Sequence, residues 1–81
     1  MFYLYILESI KTGTYYVGIA ANIQKRLAQH NNGLVKSTKS KKPWKLIHNE
    51  IYDNQSEARK RESHIKSQKS RKAIEKIIKH F

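Results

Sequence analysis

The stretch Tyr3 to His30, YLYILESIKTGTYYVGIAANIQKRLAQH, switches its hydrophobic period from that of a strand to that of a helix within one short run. A chain with this pattern sets a hairpin directly against a helix. Alternation puts Phe2, Leu4 and Ile6 on one face of the first strand and Tyr3, Tyr5 and Leu7 on the other. In the second strand Tyr15, Val17 and Ile19 share a face, leaving Tyr16 and Gly18 opposite. Ile10-Lys11-Thr12-Gly13 supplies the turn between them, with Gly13 able to take the positive φ that hairpin loops often need. With Tyr5 beside the Tyr16/Gly18 face, two phenols flank a position that has no side chain, where a large ligand can approach the backbone. Asn22 is a good N-cap for the helix that follows, and Ile23, Arg26, Leu27 and His30 fall on its adjoining rows. Arg26 and His30 therefore border its buried stripe. Asn31-Asn32-Gly33 then stops it, since Asn and Gly tolerate the left-handed conformation past a helix end.

From Leu34 to Pro43 the chain carries Lys36, Lys39, Lys41 and Lys42 among Ser37, Thr38 and Ser40, with no acid. Such a loop is either a solvated surface segment or a clasp for phosphates built from ammonium, hydroxyl and amide groups, and the high net charge favours the clasp. A third strand follows, Trp44 to Tyr52. Strict alternation groups Trp44, Leu46, His48, Glu50 and Tyr52 against Lys45, Ile47, Asn49 and Ile51, and neither set is fully apolar, as suits an edge strand. A crossover from strand two through the first helix, skipping strand one, predicts an antiparallel order 2-1-3. Asn54 or Ser56 caps a second helix that runs to about Lys66, with Glu57 in its first turn. Ala58 and Ile65 are its apolar residues, while Arg59, Lys60, Arg61 and Lys66 are expected to splay outward. A last helix from Lys69 or Ser70 carries Ile74, Ile77, Ile78 and Phe81 at i, i+3, i+4 and i+7, a stripe suited to covering the sheet. The expectation is one α+β domain over residues 1–81, β-β-α-β-α-α, its sheet flanked by helices.

A chain of 81 residues has core enough for a single domain. Without cysteine it has neither disulfides nor thiolate zinc sites, and four scattered histidines make no zinc spacing, so His64 and His80 are expected at the surface. Met1 to Leu7 lacks the basic start and small-residue cleavage site of a signal peptide, and no run approaches a membrane span, so a cytoplasmic location is expected. Seventeen Lys and Arg against six Asp and Glu leave a net charge of +11, a field that draws polyanions. Nucleic acid fits better than a membrane surface, because the apolar residues of the basic helices are Ile and Ala suited to a core. No nucleophile elbow and no glycine-rich phosphate loop is present, which removes hydrolase-triad and nucleoside-triphosphatase chemistry.

Glu62, on the inward stripe between Ala58 and Ile65, must be paired or hold a cation to sit there cheaply. A salt bridge to Arg26 or a nearby Lys answers this as well as a Mg2+ on one carboxylate does. Arg26 is open in the same way: its fork fits a carboxylate, and it also fits a phosphate, where it could stabilise charge developing on a phosphoryl oxygen.

The spacing of Tyr5, Tyr16-Val17-Gly18, Arg26 eight residues after that glycine, and His30 one turn later resembles the GIY-YIG nuclease superfamily. The chain looks most like its small stand-alone predicted endonucleases, related to the nuclease domain of an excision-repair subunit and to homing endonucleases. The resemblance implies hydrolysis of DNA phosphodiester bonds, in repair or recombination, with one divalent metal, Mg2+ or Mn2+, on Glu62. It gives Arg26 the transition-state role, sets Tyr5 and Tyr16 toward the attacking water with one of them as general base, and gives His30 an accessory part. A phenol of pKa about 10 needs help to act as a base at neutral pH, and the spacing does not choose between the two. Gly18 with Lys36, Lys39, Lys41 and Lys42 would meet the nucleic acid, and a protein partner could supply specificity. The chain departs from the family pattern at Tyr3, where the first motif has glycine, and in Ser67, Gln68 and Ser70, where excision-repair and homing members carry an asparagine. A non-catalytic nucleic-acid-binding domain of the same fold is the alternative, and a ribosome- or RNA-associated basic protein a third.

Overall fold

In the computed structural model, which describes residues 1–68 and 70–79, strand β1 (Phe2–Ser9) lies at the centre of a three-stranded antiparallel sheet. Strand β2 (Tyr15–Ala20) flanks it on one side and β3 (Trp44–Tyr52) on the other, the 2-1-3 order expected from the crossover. The central position explains the near-continuous apolar run of β1. Leu4, Tyr5, Ile6 and Leu7 are all buried because both faces of the sheet are covered.

Helix α1 (Ile23–Asn31) covers one face, where Ile23 and Leu27 pack with Tyr5, Leu7, Tyr16 and Trp44. Helices α2 (Gln55–Ser67) and α3 (Arg71–Lys79) cover the other. There Ile65, Ile74, Ile77 and Ile78 meet Leu4, Ile6 and Val17. Lys69, expected near the start of α3, and His80 and Phe81 lie outside the described residues. Among the described residues no helix is long and apolar enough to cross a membrane.

The local signals act where the residue types put them. Asn22 Oδ1 accepts from the Lys25 amide at 3.0 Å and Asn54 Oδ1 from the Glu57 amide at 2.9 Å, so Asn54 rather than Ser56 caps α2. Gly13 adopts φ +75° in the hairpin turn. The turn is tied to α3 by Arg71, whose Nη1 donates to the Gly13 carbonyl at 2.6 Å while its guanidinium lies 4.3 Å from the Tyr15 ring centre.

Strand β3 departs from strict alternation. Leu7 pairs with Leu46 but Ile6 with His48, so Ile47 is an extra residue in a bulge. The bulge turns the two ends of the strand to opposite faces. Trp44 packs with Tyr5 and Leu7 on the α1 side, whereas Tyr52 joins the core on the α2 side. A one-residue insertion reverses every later side chain, and alternation alone cannot register it.

On the α2 side the bulge delivers Glu50 to the interior, 4% exposed. Arg61 does not splay outward with its neighbours but turns in to grip this carboxylate through Nε at 2.9 Å and Nη2 at 3.2 Å. His48 Nε2, at 2.8 Å, and the Tyr52 hydroxyl complete the set. A buried carboxylate needs such partners to stay ionised. Arg61 and its companions hold the Glu50 carboxyl below the usual range against burial, which pushes the other way.

Candidate active site

Gly18 stands directly across from Tyr5 in the β1–β2 ladder. A side chain there would place its first carbon 2.6 Å from the Tyr5 oxygen and 3.2 Å from Tyr16 Cε2. The space left by the glycine is thus occupied by the Tyr5 phenol itself, rather than kept open for a ligand. Tyr5 lies across the backbone of β2, 2% exposed, with its ring centre 6.4 Å from that of Tyr16.

The Tyr5 hydroxyl is 3.1 Å from His30 Nε2. His30 leaves the last turn of α1 pointing inward and is fully buried, edge-on to Tyr16 at 5.0 Å between ring centres. Its Nδ1 lies 2.7 Å from Thr38 Oγ1, also fully buried. Burial lowers the pKa of His30, and the neighbouring Arg26 charge lowers it further, so the ring is neutral near pH 7. It has no exposed surface, and its Nε2 contact with Tyr5 is its route to anything outside the core.

Arg26, one turn earlier on α1, is half-buried and donates to Gln29 Oε1 at 3.0 Å. None of the ion pairs among the described residues includes it. Its guanidinium is instead felt by Tyr5. Burial raises the Tyr5 pKa, the Arg26 guanidinium pulls it back, and the Tyr16 phenol and the Glu62 carboxylate push it up again. Tyr5, Tyr16, Arg26 and Glu62 therefore form one electrostatic neighbourhood, although α1 and α2 lie on opposite faces of the sheet.

Strand β2, at the edge of the sheet, borders α2 as well as β1. A groove of about 450 Å³ runs there, lined by Tyr15 and Tyr16 of β2, Ile65 and Lys66 of α2, and Arg71 of α3. Glu62, on α2, is half-buried, its side chain 20% exposed, with Lys66 Nζ 3.2 Å from Oε2. The lysine answers the question of a partner for the acid, but only from an exposed i,i+4 position of small energetic weight. Among the described residues no three His, Asp or Glu side chains gather in a metal cluster. The donor set fits only a hard cation that takes a single carboxylate and completes its shell with water and substrate oxygens, as Mg2+ does.

Lys36, Lys39, Lys41 and Lys42 are all exposed on the loop between α1 and β3. The loop is not loose, because Thr38 pins it from below. Trp44 Nε1 donates to the Thr38 carbonyl at 3.0 Å, and Ser9 Oγ to that of Lys41 at 2.6 Å. A buried threonine inside a run of exposed lysines displays the charges outward. Thr38 was not legible as a site residue, since nothing in a Lys/Ser/Thr run marks the one hydroxyl that turns in. His64 is exposed on α2 and takes no part in the site.

The family described as the GIY-YIG catalytic domain matches residues 1–76 of the chain. A UPF0213 protein of Staphylococcus saprophyticus is 42% identical over 76 residues, 93% of this chain and 92% of that one. One from Halobacterium salinarum is 42% identical over 67 residues, 82% of this chain and 86% of its own length. The solution NMR structure of a UPF0213 protein from Bacillus halodurans superimposes with a TM-score of 0.63 at 30% identity, covering 98% of this chain and 84% of the other.

Proposed function

Because this chain belongs to the GIY-YIG catalytic domain family, a nuclease family, we propose that it hydrolyses phosphodiester bonds of DNA at the β2 edge, with the help of one divalent cation. The observation that carries the proposal is the Tyr5 hydroxyl, which has a buried imidazole 3.1 Å behind it and the Arg26 and Glu62 charges acting on it. A phenol held this way can receive a proton from water if its own proton has somewhere to go. Tyr16 has no such acceptor bonded to its hydroxyl among the described residues, so Tyr5 is assigned as the base and Tyr16 as an orienting group.

Arg26 would bring a planar fork, in no ion pair among the described residues, to the substrate and stabilise charge on the phosphoryl oxygens as the bond breaks. Glu62 would hold Mg2+ or Mn2+ once Lys66 swings aside; when bound, the cation supplies charge neutralisation at the phosphate. The exposed lysines of the loop would hold the backbone with little base readout, while the buried Gly18 serves the site by seating Tyr5.

One observation favours the non-catalytic alternative, namely that Glu62 already has a partner in Lys66. Incubating plasmid and branched DNA with Mg2+ or Mn2+, beside the same assay on Glu62→Ala, separates the two. Cleavage by the wild type that the variant loses supports the hydrolase. Equal inertness of both proteins over all the DNA substrates, with binding retained, replaces it with the binding domain.

A further inference from the structure

We infer that Thr38 is a positioning residue, whose hydroxyl holds His30 in the neutral tautomer protonated on Nδ1, leaving the Nε2 lone pair aimed at the Tyr5 hydroxyl. Thr38 Oγ1 has one hydrogen and two neighbours, the Val35 carbonyl oxygen at 3.3 Å and His30 Nδ1 at 2.7 Å. The Val35 carbonyl can only accept, and we assign it the hydroxyl proton, which turns the Thr38 lone pairs toward Nδ1. Nδ1 is then the donor. The neutral ring has a single N–H, so Nε2 is bare and the bond to Tyr5 must be donated by the phenol.

Backbone contacts fix the geometry that makes this work. The Thr38 amide donates to the same Val35 carbonyl at 3.1 Å, and its own carbonyl accepts from the Lys41 amide at 3.2 Å as well as from the Trp44 indole. Thr38 and His30 are both wholly shielded from solvent, so no water competes for either nitrogen. Free imidazole prefers the opposite tautomer, protonated on Nε2. With that tautomer Tyr5 would accept from the ring and have no local destination for its proton.

The consequence for hydrolysis rests on the function proposed above. As the water oxygen bonds to phosphorus, one water O–H breaks toward the Tyr5 oxygen while the Tyr5 proton passes to His30 Nε2. The bond from phosphorus to the departing sugar oxygen breaks with its electron pair on that oxygen, which takes a proton from solvent. His30 afterwards returns its proton to Tyr5, and Tyr5 releases one to solvent.

The test combines side-chain nitrogen NMR of His30 near pH 7.5 with DNA cleavage, in the wild type, Thr38→Val and Thr38→Ser. The wild type and the serine variant are expected to show a protonated Nδ1 and a bare Nε2. Valine, of the same shape but with no hydroxyl, should move the proton to Nε2 and lower kcat by about 100-fold, with KM for DNA little changed. A wild-type His30 protonated on Nε2 overturns the inference directly and needs no variant to fold. A valine variant that keeps the wild-type tautomer and kcat overturns it as well. If the tautomer responds as described but no protein cleaves DNA, the positioning role of Thr38 stands and the hydrolase is what falls.

Discussion

Gly18→Ala puts the link between packing and site geometry to a sharp test. The backbone at Gly18 is not in the left-handed region, so any cost comes from space and not from φ. The added carbon would sit 2.6 Å from the Tyr5 oxygen and 2.7 Å from Cζ, about 0.8 Å inside ordinary contact. Tyr5 cannot swing away into water, being 2% exposed beneath α1 and tied to His30. Overpacking of this kind costs about 1–3 kcal/mol. In a domain of this size that lowers Tm by on the order of 10 °C. A phenol displaced by most of an ångström also leaves its 3.1 Å contact with His30, and misplacement on that scale costs up to about 100-fold in rate.

Thermal melts and single-turnover cleavage read both effects. A double-mutant cycle isolates the cause, because in a Tyr5→Leu background the reach of the phenol is gone and Gly18→Ala should become nearly neutral. A wild-type Tm in Gly18→Ala would refute the reasoning. So would an equal loss in both backgrounds.

Arg26→Lys keeps the charge and loses the fork, so it should bind DNA within about two-fold of the wild type yet cut it at least about 10-fold more slowly; undiminished cleavage would remove Arg26 from the chemistry. Stability should form a plateau in pH. The folded pKa of His30 is lowered, so the unfolded chain takes up that proton first and stability declines as pH falls below 6.5, with Glu50 adding a second decline below 4.5 for the same reason. Tyr52 is pushed up to about 12 by burial and by its bond to Glu50, so the unfolded chain loses that proton first and stability falls again above pH 10. Urea melts from pH 4 to 11 test this, and a midpoint that stays level from pH 7 to 4 would contradict the acid limb. Truncating Arg61 to Met strands the Glu50 carboxylate in the core and should cost about 3 kcal/mol in the same melts, against under about 1 kcal/mol for Lys60→Met on the exposed face. Replacing both Lys41 and Lys42 with alanine should flatten the salt dependence of DNA affinity by about two phosphate contacts; an unchanged slope would place the nucleic acid elsewhere.

The order of elements, the caps at Asn22 and Asn54, the glycine turn and the 2-1-3 sheet were legible in the sequence, because each depends on neighbours within a few residues or on a stripe one helix or strand presents. The pairing of Tyr5 with Tyr16 and Gly18 on one face followed from alternation in the same way. What alternation could not register was the bulge at Ile47, and with it the turn of Trp44 to one face and of Glu50 to the other. Arg61 looked like its outward neighbours until Glu50 arrived beneath it, and Thr38 like its loop until His30 did. Those assignments depend on what a distant strand or helix brings to the same few ångströms. A buried charge or hydroxyl must find its partner there or give up its place in the core, and only the packed chain decides which one it finds.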